Sequence, residues 1–176
     1  MSSLMNTVVP DSAESARRPL DAAQCALIVV DIQEKLLPPI FNKETMVKNS
    51  QLLIRLARIL SIPAMVTTQY SRGLGATVPE IASLLADVRT IDKLEFGCFG
   101  NDEFRAGLKK LSGNRSTVLL CGMEAHICVT QTALGALNDG YLVHVASDAV
   151  GARPSGTGRS DSTACAAPAP SSPPPR

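Results

Sequence analysis

Four short apolar runs impose the first constraint on this chain: CALIVVD (25–31), IPAMVTT (62–68), TVLLCG (117–122) and YLVHVASD (141–148). They are rich in β-branched residues and do not alternate strictly, the pattern of strands buried on both faces. Helical periods fill the intervals. In NSQLLIRLARILS (49–61), Leu52, Leu53, Leu56, Ile59 and Leu60 are expected on one face, with Arg55 and Arg58 on the other. NDEFRAGLKKL (101–111) offers Asn101 or Asp102 as N-cap, and its early acids and late Lys109 and Lys110 match the helix dipole. CVTQTALGALNDG (128–140) ends at Gly140, a natural residue to follow a helix. Strands alternating with helices of this length require right-handed crossovers and a parallel sheet covered on both faces. The expected fold class is therefore α/β, a three-layer α/β/α arrangement with a mainly parallel sheet. In such sheets ligands bind beyond the carboxyl ends of the strands. Here those ends carry Asp31, the segment from Thr68 to Tyr70, the turn from Gly122 to Cys128, and Asp148.

Composition narrows the function classes. The 176 residues are enough for one domain with a real core, and 45% hydrophobic against 3% aromatic residues means a core of Val, Ile, Leu and Ala. A formal net charge of +1 gives no basic field to attract a polyanion, so nucleic acid is not an expected partner. No apolar run approaches the roughly 20 residues that a membrane-spanning helix needs, and no membrane partner is expected. Residues 1–20 contain Asp11 and Glu14 and lack an apolar segment behind a basic start. They read as a disordered lead rather than a targeting peptide. The domain is expected over residues 21–152. The cysteines at 25, 98, 121, 128 and 165 are odd in number and form no C-x-x-C pair, which fits free thiols in a reducing cytoplasm better than a disulfide framework or a structural zinc site. With only His126 and His144 in the chain, a multi-histidine metal site is excluded.

Three residues stand out as carriers of chemistry. Cys128 follows a strand-ending glycine by six residues and opens an apolar-periodic helix, so its sulfur is expected near free backbone N–H groups, in an environment favouring thiolate. Most lone cysteines are small core residues, and Cys121, inside the strand, fits that description. Asp31 directly follows LIVV, where an unpaired carboxylate would be costly to bury; the alternative is an end-of-strand Asp capping the next helix. Lys93 in TIDKLEF is ambiguous alone, because lysines are mostly solvated. His126 lies two residues from Cys128 and is taken as pocket lining or surface rather than as its general base. RGLGATVPEI has Val78 where a dinucleotide fingerprint needs its third glycine, and is read as a substrate-covering loop.

ALIVVDIQEKL, the lysine of IDKLEFGCF, and LLCGMEAHICVTQTALGALNDGYLVHVASDAV together resemble the isochorismatase-like cysteine hydrolases, over about Cys25 to Ala152. TTQYSRGLGATVPEI is closer to the uncharacterised isochorismatase-domain branch than to the nicotinamidases. The resemblance implies a catalytic triad of Asp31, Lys93 and Cys128, a cis peptide between Met123 and Glu124, and an oxyanion hole from the backbone N–H groups of Glu124 and Cys128. It also implies a substrate pocket at Gln33, Gln69, Tyr70 and Phe96, a small-molecule substrate and a homo-oligomer, a dimer or larger. The implied chemistry is cleavage of a small amide or related acyl compound through a thioester, with no cofactor. Nicotinamidases add a metal site of Asp and His residues downstream of the first motif, and EKLLPPIFNKETM has no histidine, so no metal is expected. Two other readings stay open: a catalytically inactive binding or scaffold protein, and a vinyl ether hydrolase that does not need the cysteine.

Residues 153–176 change character abruptly. RPSGTGRSDSTACAAPAPSSPPPR has no apolar period and is expected to be disordered, where the resemblance implies a further helix and a closing strand. One permitted back-translation from Gly156 onward, entered two nucleotides later, reads HRPIGLDRMRRAGAVITTTEM, close to those missing elements. The same codons place a stop directly after Arg176. The tail is therefore read as a frameshift product.

Overall fold

The computed structural model describes residues 19–113 and 115–154. Most of the expected N-terminal lead, nearly all of the tail read as frameshifted, and Cys165 lie outside these residues. Five parallel strands form one sheet: β1 (Cys25–Val30), β2 (Ala64–Gln69), β3 (Thr90–Lys93), β4 (Thr117–Met123) and β5 (Leu142–Gly151), in the order β3-β2-β1-β4-β5. The main helices are α1 (Lys43–Ile59), α2 (Asp102–Ser112) and α3 (Thr130–Asn138).

β1 is central and wholly buried, and its alternate side chains feed two separate cores. Cys25, Leu27 and Val29 pack with Met46, Ile54 and Ala57 of α1 on one face. Ala26, Ile28 and Val30 pack with Phe104 and Leu108 of α2 and with Val129 and Ala136 towards α3 on the other. This is the expected α/β fold in three layers. Burying each Val, Leu or Ile of β1 stabilises the fold by about 1.5–3 kcal/mol, which makes this strand the anchor for the residue that follows it.

Several local expectations are corrected. β3 was not among the four apolar runs, because its four residues Thr90–Lys93 alternate exposed and buried at a sheet edge and include Asp92 and Lys93. β5 is also an edge strand and only half-buried over much of its length, so burial on both faces describes β1 but not β5. The buried face of α1 is Met46, Ser50, Ile54 and Ala57, while Leu52, Leu56, Ile59 and Leu60 are exposed. Small side chains let this helix lie close to β5: the Ser50 hydroxyl donates to the Ala149 carbonyl at 3.3 Å and the Asn49 amide to the Asp148 carbonyl at 2.9 Å. The Asn101 side chain caps α2 by accepting from the Phe104 N–H at 3.0 Å. Gly140 follows α3 at φ 87°, the left-handed conformation expected there.

Candidate active site

The carboxyl ends of β1, β3 and β4 bring Asp31, Lys93 and Cys128 together. Asp31 leaves β1 in the left-handed region, φ 52°, which Asp tolerates better than most side chains, and its N–H donates to the Thr67 carbonyl at 3.2 Å. The carboxylate is fully buried. Its Oδ1 accepts from the Thr67 hydroxyl at 2.7 Å and its Oδ2 from Lys93 Nζ at 2.6 Å. Alternation along β3 turns Ile91 and Lys93 to the covered side. The buried ammonium also donates to Gln69 Oε1 at 2.8 Å and to the Glu95 and Phe96 carbonyls, both at 3.1 Å. Desolvating two charges costs several kcal/mol, and such a pair persists only where hydrogen bonds on every side offset that cost. Four acceptors around three N–H bonds fix Lys93 as a held charge.

Cys128 sits in a π-helical turn, Ala125–Val129, that joins β4 to α3, so it precedes the regular α-helix instead of opening it. It is 5% exposed. Its sulfur lies near enough to the Asp31 side chain and the Glu124 backbone for both to act on its ionisation. Burial and the negative charge of Asp31 push the thiol up to about 12, outweighing the positive charge of Lys93. That direction runs against the expectation of a resting thiolate. Lys93 is already matched by Asp31, and a wider π turn stands where the first turn of an α-helix was expected. Cys121 is fully buried and pushed up to about 12 by that burial alone among the raising causes, in keeping with an inert strand thiol.

The Met123–Glu124 peptide is cis, and Gly122 before it has φ 129°. A Cβ at Gly122 would lie 2.0 Å from the Val30 carbonyl oxygen, so only glycine lets β4 approach β1 here. The buried Glu124 carboxylate accepts from Arg153 Nε at 2.7 Å, and His126 Nδ1 lies 3.7 Å from its other oxygen. His126 is half-exposed and faces Glu124.

The four residues assigned to a pocket separate into two pairs. The buried Gln33 amide is fully engaged with backbone, donating to the Gln69 and Gly75 carbonyls at 3.1 and 2.8 Å and accepting from the Gln69 N–H at 2.7 Å. The buried Gln69 amide joins Lys93 to the Leu94 carbonyl, the latter at 2.7 Å. Tyr70 and Phe96 lie at the surface, 50% and 61% exposed. The loop read as a substrate cover is pinned. Val78 N–H donates to the Ile32 carbonyl at 2.9 Å, Glu34 N–H to the Ala76 carbonyl at 3.0 Å, and Gln33 bridges Thr77. A cleft of about 660 Å³ lies away from all this, lined by Ile62, Pro63 and Ala64 before and at the start of β2 and by residues of α1 and α2. Among the described residues no group of three or more His, Cys, Asp or Glu side chains could hold a metal ion.

Sequence reasoning missed three participants. Thr67 bonds Asp31, Arg153 bonds Glu124, and the Thr132 hydroxyl donates to the Cys128 carbonyl at 2.6 Å while accepting from the Cys98 N–H at 3.1 Å. Only Thr67 left a signal, its spacing from Gln69 along one strand face.

The isochorismatase domain model matches residues 25–167. The chain belongs to the isochorismatase family. A secreted isochorismatase effector, Isc1, of Phytophthora sojae is 41% identical over 127 residues, 70% of this chain and 60% of that protein. The chain thus spans about 60% of the length of that curated relative. Among solved structures, the MAR1 ribonuclease of Caenorhabditis elegans superposes with a TM-score of 0.71 at 40% identity, covering 80% of this chain and 70% of that one. The YcaC gene product of Escherichia coli, described as an octameric hydrolase of unknown specificity, gives 0.70 at 29% identity, covering 77% and 69%. Like these family members, the chain has a parallel sheet flanked by helices, and no described helix is long and apolar enough to cross a membrane.

Proposed function

We propose that this isochorismatase-family chain is a cysteine hydrolase that cleaves a small amide or related acyl substrate. The observation that carries the reading is a thiol against a carboxylate that is itself locked to an ammonium at 2.6 Å, all three nearly closed to solvent. In this reading Cys128 keeps its proton at rest and gives it to Asp31 as sulfur attacks the carbonyl carbon. The C–S bond forms while the carbonyl π pair moves to oxygen, where the N–H groups of Glu124 and Cys128 stabilise it. Collapse expels the amine, which takes the proton from Asp31. Water, deprotonated by Asp31, then attacks the thioester, and the acid leaves as the thiol is reprotonated. Lys93 transfers no proton; it holds the Asp31 charge and its direction.

The domain is assigned to residues 21–152, works without a cofactor in a reducing cytoplasm, and assembles as a homo-oligomer. The free, buried thiols at Cys25, Cys98, Cys121 and Cys128 support the compartment, and the octameric YcaC relative supports self-association. For RNA, the substrate in the name of the C. elegans neighbour, a formal charge of +1 offers little attraction to a phosphate backbone. Vinyl ether hydrolysis, suggested by the Isc1 name, asks for a proton donor, whereas Asp31 is surrounded by donors and arranged to accept. A non-catalytic binding role draws on one observation, the 5% exposure of Cys128.

Turnover on a panel of small aliphatic and aromatic amides, with mass spectrometry of quenched samples for an acyl adduct on Cys128, tests the reading. Cys128→Ala and Asp31→Asn should each lower kcat/KM by about 10²–10⁴ or more, and the adduct should be absent in Cys128→Ala. Full activity of Cys128→Ala overturns the mechanism.

A further inference from the structure

We propose that Thr67 and Gln69 of β2 are positioning residues that together hold the Asp31–Lys93 pair across the strand lying between them. The inference rests on the reading of Asp31 as the base for Cys128. The sheet order places β2 between β1 and β3, so the backbones that carry Asp31 and Lys93 stand about two strand spacings apart, roughly 9–10 Å. Their side chains meet over the end of β2 at 2.6 Å. Residues two apart on a strand share a face, and Thr67 and Gln69 use that shared face in opposite directions. Thr67 reaches towards β1 and donates to Asp31 Oδ1 at 2.7 Å, while its carbonyl takes the Asp31 N–H. Gln69 reaches towards β3, in register with Lys93, and accepts from Nζ at 2.8 Å. The orientation of the Gln69 amide is itself set, because its Nε2 donates to the Leu94 carbonyl.

Each carboxylate oxygen of Asp31 therefore has one fixed donor, Thr67 on Oδ1 and Lys93 on Oδ2. A carboxylate has about four acceptor directions, so these two bonds fix the plane of the group and leave a defined lone pair for the thiol proton. Thr67 also draws negative charge towards Oδ1. Without its hydroxyl, more of that charge bears on the thiol and Cys128 becomes harder to ionise. The groups facing Asp31 are Lys93 from β3, Cys128 from the turn after β4, and Cys98, whose sulfur lies 3.7 Å from the Thr67 hydroxyl.

The test measures the rate of Cys128 alkylation by iodoacetamide between pH 7 and 10, mapped by mass spectrometry, in the parent chain, Thr67→Val, Thr67→Ser and Asp31→Asn. Thermal melts check that each is folded. Below the ionisation of the thiol the rate follows the thiolate fraction, so a shift of one pH unit reads as a tenfold change. Asp31→Asn removes the opposing charge and should react faster. Thr67→Val should react about tenfold slower than the parent, and Thr67→Ser, which keeps the hydroxyl, should match it. If Thr67→Val matches the parent while Asp31→Asn is faster, the positioning role is overturned and the Asp31–Cys128 dyad stands. If Asp31→Asn also matches the parent, the dyad falls and the positioning role with it. Should Thr67→Val not fold, Thr67→Ala against Thr67→Ser makes the same comparison. Gln69→Met, which removes the acceptor for Lys93, supplies an independent arm: unchanged reactivity there removes Gln69 from the proposal.

Discussion

At the scale of single residues, the most exacting feature is a lysine and an aspartate buried side by side with no solvent contact. Lys93 alone was ambiguous in the sequence, and so was Asp31; what decides their character is that each lacks any other charge to lean on at that depth. Removing one partner leaves the other charged and buried. Lys93→Met should therefore lower unfolding free energy by about 3–5 kcal/mol, measured by urea titration near pH 7. Adding Asp31→Asn removes the stranded charge, and the double variant should be more stable than Lys93→Met alone. A double variant less stable than the single one would mean that the two side chains are held by packing and not by their mutual charge. The double variant should not turn over substrate, because a stable site without its base is still without a base, while Lys93→Met keeps Asp31 and should lose activity only because that carboxylate is no longer held.

At the scale of elements, the elbow between β4 and α3 depends on one glycine and α2 on one cap. Gly122→Ala puts a methyl group 2.0 Å from the Val30 carbonyl oxygen at a φ of 129°. The substitution should cost about 4 kcal/mol or more, seen as loss of soluble protein or collapse of the melting temperature. Asn101→Ala removes the bond to the Phe104 N–H and should cost about 1 kcal/mol in the same assay, with the site unaffected. The strands β1 and β4 were legible because burial on both faces leaves long apolar runs, and the N-cap of α2 because capping is local chemistry. β3 was not legible, since four alternating residues with two charges look like a loop until a neighbouring strand is there to pair with them. The face of α1 was misread because side-chain volume suggested the leucine stripe, whereas close approach to β5 selected Ser50. The grouping of Asp31, Lys93 and Cys128 was suggested only by motif resemblance; periodicity placed Asp31 and Cys128 beyond strand ends and gave Lys93 no place in the sheet. Thr132 meets Cys98 and Arg153 meets Glu124 across long stretches of chain, and a single sequence carries no mark of such pairings; Thr67 left only its spacing from Gln69.

At the scale of the whole molecule, the same burial that keeps the Cys128 proton in place also acts on the two cores. Cys98 is pushed up to about 11 and Cys121 and Cys128 to about 12, in each case first by burial, and Cys25 is raised as well. In the unfolded chain these thiols ionise near the ordinary value of 9.0. Below that pH both states keep their protons and the contribution is fully present. Between about 9 and 11–12 the unfolded chain gives up protons that the folded chain retains, so unfolding releases protons and stability falls as pH rises. The loss is on the order of 1 kcal/mol per thiol per pH unit, and three thiols acting together are large against the 5–15 kcal/mol that holds a typical domain. Urea midpoints under reducing conditions should therefore change little on this account between pH 7 and 8.5 and fall steeply by pH 10.5. Cys121→Ala, in the core on the α1 side of the sheet and not in the one that holds Cys98 and Cys128, should start somewhat lower at pH 8 from lost packing but fall less steeply, since one of the three protons no longer contributes. A parent midpoint that stays flat from pH 9 to 10.5 would mean that the thiols ionise readily in the folded state. The resting thiol proton that Asp31 is proposed to receive would then already be gone at alkaline pH.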